Sequence, residues 1–323
     1  MGKPRTKIDA DALRSVVRRL IAYTILLVVL MAGGAWGFWL LRRHVASIAM
    51  PDSTPTVKMI ARPAWMSDRV ASRILDAVQP RRPRSALDQA LLKEITAALE
   101  SNPWVKGVKQ VRRTYGRSAG DTIEIACDYR APMALVSVVK GGRNGRPRRP
   151  QEWLSSVREY IMVDCEGYRL PESFPGPDAP PIMLAEDGLV NLRIIDGVAA
   201  DPPDRPGGKW PGEDLQAGLN MAGFLYGREI AQDLHRIFVG NFAGRVSTRS
   251  AQLVLVTKYN SEIRWGEPVN VAFHAELDPL QKLKQLEAAR RQFGRIDAKC
   301  SWLDIRFEKI LCPPEEKPVA SAQ

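Results

Sequence analysis

Ser137-Val138-Val139-Lys140 is the stretch whose residue types and spacing best match a nucleophile with its base. A serine three residues before a lysine is the acylation pair of penicillin-recognising enzymes, which also need S-D-N and K-T-G elements. The chain contains neither, and Ser137 follows a strand-like run instead of opening a helix, so a chance match is expected. Three histidines, His44, His235 and His274, lie far apart and form no H-E-x-x-H. Cys127, Cys165, Cys300 and Cys312 include no C-x-x-C pair, which argues against a closed zinc site. Cys127 reads as a buried strand residue. On one extended strand, Cys300 and Cys312 would stand roughly 35–40 Å apart, beyond disulfide reach. Gly141-Gly142 and Gly207-Gly208 lack the Gly-Lys-Ser/Thr that completes a phosphate loop. The expectation is a protein without catalytic residues, metal, cofactor or small-molecule substrate.

The elements around these residues say more. The 323 residues carry 47 Lys+Arg against 36 Asp+Glu, a formal net charge of +11, and 45% are hydrophobic. That apolar content excludes a disordered chain. Four cysteines exclude a disulfide-dense scaffold. Leu20 to Leu41 hold no charged residue. About 20 apolar residues at about 1.5 Å each cross a hydrocarbon core, whereas the core of a cleavable signal is only about 7–15 residues. Residues 20–41 are therefore expected to be an uncleaved transmembrane helix embedded in lipid. Lys3, Arg5, Lys7, Arg14, Arg18 and Arg19 precede it, against Arg42, Arg43 and Lys58 after it. The positive-inside rule then makes residues 1–19 a basic cytoplasmic tail and puts the bulk outside the cytoplasm, anchored by a single pass. Trp36 and Trp39 suit an aromatic belt, and Gly33 and Gly37 form a GxxxG pair that also fits the ordinary glycine content of membrane helices. The basic run Lys140, Arg143, Arg146, Arg148 and Arg149 has no interleaved aromatics, so it reads as a solvated loop and nucleic acid is not expected.

Beyond the span, Ala46 to Thr56 reads as a linker and Val57–Ile60 as a first strand. Ser67 caps a helix whose apolar face is Val70, Ala71, Ile74, Ala77 and Val78, stopped by Pro80 and Pro83. A second helix is expected from Ser85, with Asp88 three residues on, ending at Ser101-Asn102-Pro103. Trp104–Val111 and Ile123–Tyr129 read as strands either side of a turn at Gly116–Gly120. Two helices covering one face of a three-stranded sheet make one compact unit. Downstream, Tyr160–Val163 is strand-like and Asp164–Gly167 a turn. Leu215, Leu219, Ala222 and Leu225 mark a helix, and Leu253–Val256 with Ile263–Trp265 a hairpin. Asp278-Pro279 opens a helix that Gly294 closes, and Trp302 to Phe307 alternate as a last strand.

This order resembles the bacterial divisome family FtsQ/DivIB. Leu99-Glu100-Ser101-Asn102-Pro103-Trp104-Val105-Lys106, with Val108, Val111, Arg112, Arg113 and Tyr115, is similar to that family's helix-to-strand junction. Tyr129-Arg130-Ala131-Pro132 resembles its "E-R-x-P-x-A" ending with Tyr in place of the acid. Tyr160–Gly167 resembles its "Y-x-V-D-x-x-G" hairpin, Pro180-Pro181-Ile182 its "L-P-x-L" segment, and Leu303–Phe307 its "I-D-L-R-Y" strand. The resemblance implies an α+β fold: a transmembrane helix, a POTRA-like βααββ domain over 55–136, a mixed β-sheet domain over 155–313 ending in an edge strand, and a disordered tail over 314–323. It implies a non-enzymatic scaffold of septal wall synthesis in the inner membrane. FtsB/FtsL-like coiled-coil proteins would bind at Trp302, Asp304, Ile305, Arg306 and Phe307. Residues 140–151 and 189–212 read as insertions against the family pattern. A POTRA-bearing secretion or outer-membrane assembly component is the alternative, although 150–313 lack a long run of barrel strands.

Overall fold

The computed structural model describes residues 10–47, 54–85, 88–114, 122–139, 149–176, 182–185, 188–190, 192–271 and 275–313. The expected turn at Gly116–Gly120, the basic run through Arg148, His274 and the tail from residue 314 lie outside them. The fold is mixed α+β. Helix α1 (Ala10–Ser47) runs past the apolar stretch at both ends. Its segment Arg18–His44 is long and apolar enough to cross a membrane, and none of it is buried against the rest of the chain.

The first unit runs β1 (Thr56–Met59), α2 (Asp68–Val78), α3 (Gln89–Glu100), β2 (Val105–Thr114) and β3 (Thr122–Tyr129). Strand β3 lies in the middle, antiparallel to β2 and parallel to β1, so the two helices form the crossover that a parallel pair requires. Ser67 caps α2 by accepting from the Val70 amide. The second helix starts at Gln89, not Ser85: Asp88 is the N-cap itself, accepting from the amides of Ala90 and Leu91. An aspartate that satisfies two orphan donors sets the boundary better than a serine three residues earlier. Val70, Ile74, Leu91, Ile95 and Leu99 pack with Ile123 and Ile125 of the sheet, and the Trp65 and Trp104 rings stack with centroids 6.3 Å apart.

The second unit is an eight-stranded sheet made of β4 (Pro132–Val139), β5 (Val157–Asp164), β6 (Arg169–Pro175), β9 (Arg193–Asp196), β10 (Leu234–Phe238), β11 (Leu253–Thr257), β12 (Glu262–Gly266) and β13 (Trp302–Asp304). The order across it is β13-β12-β11-β10-β9-β4-β5-β6. A separate hairpin joins β7 (Ile182–Ala185) and β8 (Gly188–Val190). Helices α5 (Glu213–Leu225) and α6 (Pro279–Phe293) cover one face, over Ala134, Val136, Ile195, Ile237 and Ile263. The other face carries Leu135, Tyr160, Met162 and Ile194, covered in part by Trp153 of the short helix α4 (Pro150–Ser156) and continuous with the core of the first unit.

Two sequence readings change. Strand β4 belongs to the large sheet, so the first sheet ends at Tyr129 and the division expected between 136 and 155 falls later than the structural joint. Segment 189–212, read as an insertion, contains β9, a central strand parallel to both β4 and β10 with Ile194 and Ile195 fully buried. A parallel strand covered on both faces shows no period-2 alternation, which is why its four residues were invisible as a strand.

The sheet interior holds a closed polar network. Arg236 donates to both oxygens of Asp196, Nε–Oδ2 at 2.6 Å and Nη2–Oδ1 at 2.8 Å. Ser137 also bonds Asp196, and Trp153 Nε1 donates to Ser137 Oγ at 2.7 Å. These groups are buried, Asp196 at 1% exposure. Removing one partner of a buried pair leaves the other charge uncompensated. Asp196→Ala is expected to lower the unfolding free energy by about 3–5 kcal/mol, measured by denaturant titration. A loss under about 1 kcal/mol, the range of surface pairs, would show that the pair is not structural.

A candidate docking edge

Strand β13 forms because Trp302, Leu303 and Asp304 pair in parallel with Glu262, Ile263 and Arg264. Leu303 and Ile305 are buried on the helix-covered face. The strand stops at Asp304, three residues short of the alternation read from sequence. Residues 306–309 form bends, and the chain returns so that Asp304 N donates to Leu311 O at 2.8 Å and Leu311 N to Asp304 O at 3.1 Å. Helix α6 braces that turn: Gln285 Nε2 donates to the carbonyls of Phe307 (3.1 Å) and Glu308 (3.2 Å). The Asp278–Gln281 capping box and Gly294 in the left-handed conformation set its ends. Its Lys282 is fully buried and donates to Trp265 O (2.8 Å) and Glu276 Oε2 (2.7 Å). Burial, partly offset by Glu276, pulls its pKa below the ordinary lysine value.

The five expected contact residues therefore divide. Trp302 is half-buried with the Arg264 guanidinium 4.1 Å from its ring centroid. Asp304 is buried and held by Arg306 through Nη2–Oδ2 at 2.8 Å and Nε–Oδ1 at 3.0 Å. That bond, more than any other cause, holds the Arg306 pKa above its ordinary value. Ile305 is core at 0% exposure and its amide donates to Arg264 O, so it is not available for contact. Phe307, at 43% exposure, is the exposed aromatic of the set. Alternation along β13 turns the main-chain groups of Trp302 and Asp304 away from β12. The returning Leu311 already takes those of Asp304, so among the described residues Trp302 alone keeps an open edge.

Beside this edge lies a cleft of about 710 Å³ lined by Arg149, Arg249, Arg264, Arg306, Phe238 and Trp302 among others, with Glu262 the one carboxylate among the described lining residues. Arg306 Nη1 donates to Arg249 O at 3.3 Å, tying the loop before β11 to the terminal turn. Arg149, Arg249 and Arg264 make no ion pair among the described residues. Of these residues only Trp302 and Arg306 were legible as candidates. The pairings β10–β11–β12–β13 bring Arg249, in the loop before β11, and Arg264 of β12 to this edge, and Arg149 reaches it from the N-terminus of α4. Burial, partly offset by Arg264 and Arg149, pushes the Glu262 carboxyl above its ordinary value.

Ser137 of the Ser-x-x-Lys pattern, read as a chance match, lies inside the sheet. Ser137 is 3% exposed and bonded to Asp196 and Trp153, while Lys140 lies outside the described residues. No group of three or more His, Cys, Asp or Glu that could hold a metal occurs among the described residues. Cys127, Cys165 and Cys312 are free thiols, and Cys300 Sγ donates to Ala298 O at 3.7 Å. The chain between Cys300 and Cys312 turns back instead of running extended. No family model matches this chain, and no curated protein is significantly similar to it.

Glu262 gives this cleft a pH signature. A carboxyl raised in the folded state costs nothing below its ordinary value of 4.5, where both states are protonated. It weakens the fold as pH rises from there through the folded value. Glu262→Gln is expected to remove that loss, so the stability difference between variant and wild type grows as pH rises above 4.5 and then levels off. Denaturation midpoints over a pH series measure it, and a constant difference would refute the assignment.

Proposed function

We propose that this chain is a FtsQ/DivIB-type divisome scaffold. In this reading α1 anchors it in the inner membrane with residues 1–19 in the cytoplasm. The unit that ends with β3 at Tyr129 is a POTRA domain, and the sheet that begins with β4 at Pro132 presents its terminal strand to FtsB/FtsL-like coiled-coil partners outside the cytoplasm. It links membrane-anchored partners during septal wall synthesis and turns over no substrate.

The observation that carries the reading is the meeting of two of its motifs. Arg130, from Tyr129-Arg130-Ala131-Pro132, joins β3 to β4 and pairs with Asp164 Oδ2 at 2.7 Å. Asp164 opens the Asp164–Gly167 turn, and its Oδ1 accepts from the amides of Glu166 (3.0 Å) and Tyr168 (2.8 Å). The Arg130 guanidinium also lies 3.7 Å from the Tyr168 ring centroid. Two motifs some 30 residues apart thus serve one joint between two sheets. The β-α-α-β-β order before that joint agrees with the POTRA expectation.

Docking by strand addition supplies main-chain hydrogen bonds for affinity and alternate side chains for selectivity. Here the partner strand replaces Leu311 on Asp304, with Phe307 and the arginine cleft beside it. Leu311→Pro removes the amide that closes the edge. At about 1 kcal/mol for one net hydrogen bond, it is expected to tighten capture of a FtsB-like segment roughly fivefold. Phe307→Asp is expected to weaken capture. Biolayer interferometry with the purified outer part reads both, and a fluorescent fusion of the full chain should accumulate at the division site. Uniform membrane fluorescence would sink the divisome reading; unchanged capture in both variants would sink the edge while leaving that reading standing.

A further inference from the structure

Pro80 to Ser85, the loop between α2 and α3, is a cationic element fastened at both ends. At one end the Gln79 side chain donates from Nε2 to Pro55 O at 2.8 Å and accepts at Oε1 from the Val57 amide at 3.1 Å. It thereby clamps the segment that arrives from α1. At the other end Arg113 of β2 donates from Nη1 to Ser85 O at 2.5 Å and from Nη2 to Arg84 O at 3.4 Å. The loop carries Arg81, Arg82 and Arg84, and Arg113 adds a fourth guanidinium. The neighbouring carboxylates Asp88 and Glu94 both pair with Arg84, at 3.2 and 3.1 Å. Arg81 and Arg82 are exposed and make no ion pair among the described residues.

Position decides what such a loop meets. Arg81 is two residues from Gln79, about 7 Å of extended chain at most, and Gln79 touches Pro55 directly. Only eight peptide steps separate Pro55 from Ser47 at the end of α1, a reach of at most about 26–29 Å. The clamp therefore puts the unpaired arginines at the end of the first unit where the tether enters, instead of on its far side. A short tether also keeps the local concentration of any surface at its root high.

We propose that Arg81 and Arg82 dock the first unit onto the headgroup phosphates of anionic phospholipids around α1. This rests on α1 crossing the bilayer. Arginine suits the role because its planar fork binds phosphate bidentately. Each cation at an anionic lipid surface is worth about 1 kcal/mol, roughly a fivefold gain in occupancy of the docked state, so two arginines give roughly 25-fold. The attraction fades within a Debye length of about 8 Å at physiological ionic strength. Docking would restrict how the second unit sweeps above the membrane.

The test uses the full chain in nanodiscs of phosphatidylcholine alone or with phosphatidylglycerol, and reads hydrogen exchange of the peptide over residues 79–88. The expected result is at least several-fold slower exchange with phosphatidylglycerol, reversed by high salt, lost in Arg81→Glu/Arg82→Glu and retained in Arg81→Lys/Arg82→Lys. Equal exchange in both lipids, with nanodisc incorporation of α1 intact, overturns the proposal while leaving the anchor standing. Failure of α1 to incorporate overturns the anchor itself. Slowing that appears only on adding purified acidic wall polymer overturns lipid docking in favour of a wall ligand.

Discussion

Everything outside α1 hangs on a joint two residues long. Tyr129 ends the small sheet, Pro132 begins the large one, and Arg130 between them is 12% exposed while its partner Asp164 is 3% exposed. A guanidinium so placed must be neutralised and its donors satisfied, because a lone buried charge would cost several kcal/mol. Asp164 meets that demand only if the β5–β6 turn is formed, since its second oxygen is holding the amides of Glu166 and Tyr168. The hinge between units and the tip of a hairpin in the second unit are thus one structure. The peripheral pairs Lys106–Glu166 (2.6 Å) and Arg73–Glu172 cross the same boundary, but they are solvent-screened and add little. Apolar packing does the rest, since a single cluster runs from Ile74 and Leu99 to Tyr160 and Leu170.

What the sequence made legible was local. Ser67, Asp88, Asp278-Pro279 and Gly294 act on amides and carbonyls a few residues away, so their effects could be read from spacing. The β11–β12 hairpin was visible for the same reason. The centre of the sheet was not: β4 meets β9 through Ala134–Arg193 and its neighbours, 59 residues apart, and nothing short-range encodes that pairing. Ser137 shows the cost of reading residues without partners. Its spacing to Lys140 read as a chance match to a nucleophile pair, and its hydroxyl serves Asp196 and Trp153 inside the sheet, a role that no local spacing announces. The terminal strand failed in the opposite direction. Its alternation was real, but α6 holds the carbonyls of Phe307 and Glu308 and bends the chain away after Asp304.

That bend changes what docking at this edge requires. An open strand would accept a partner at full intrinsic affinity, whereas one closed by its own chain pays a factor equal to the open fraction. The closure is small: two main-chain hydrogen bonds at about 1 kcal/mol net each, on a segment whose Ile310 and Leu311 remain exposed at 36% and 44%. A free edge beside exposed apolar side chains invites indiscriminate pairing, which native sheets suppress by covering it. A cover worth about 2 kcal/mol holds the open fraction to a few per cent, enough to block weak self-pairing. Under the proposed docking, a partner that also engaged the adjoining arginines would displace it. In that exchange the ion pair Asp304–Arg306 would act on both sides: it fixes the strand end that Leu311 covers, and its guanidinium lines the cleft from which a partner would draw its additional affinity.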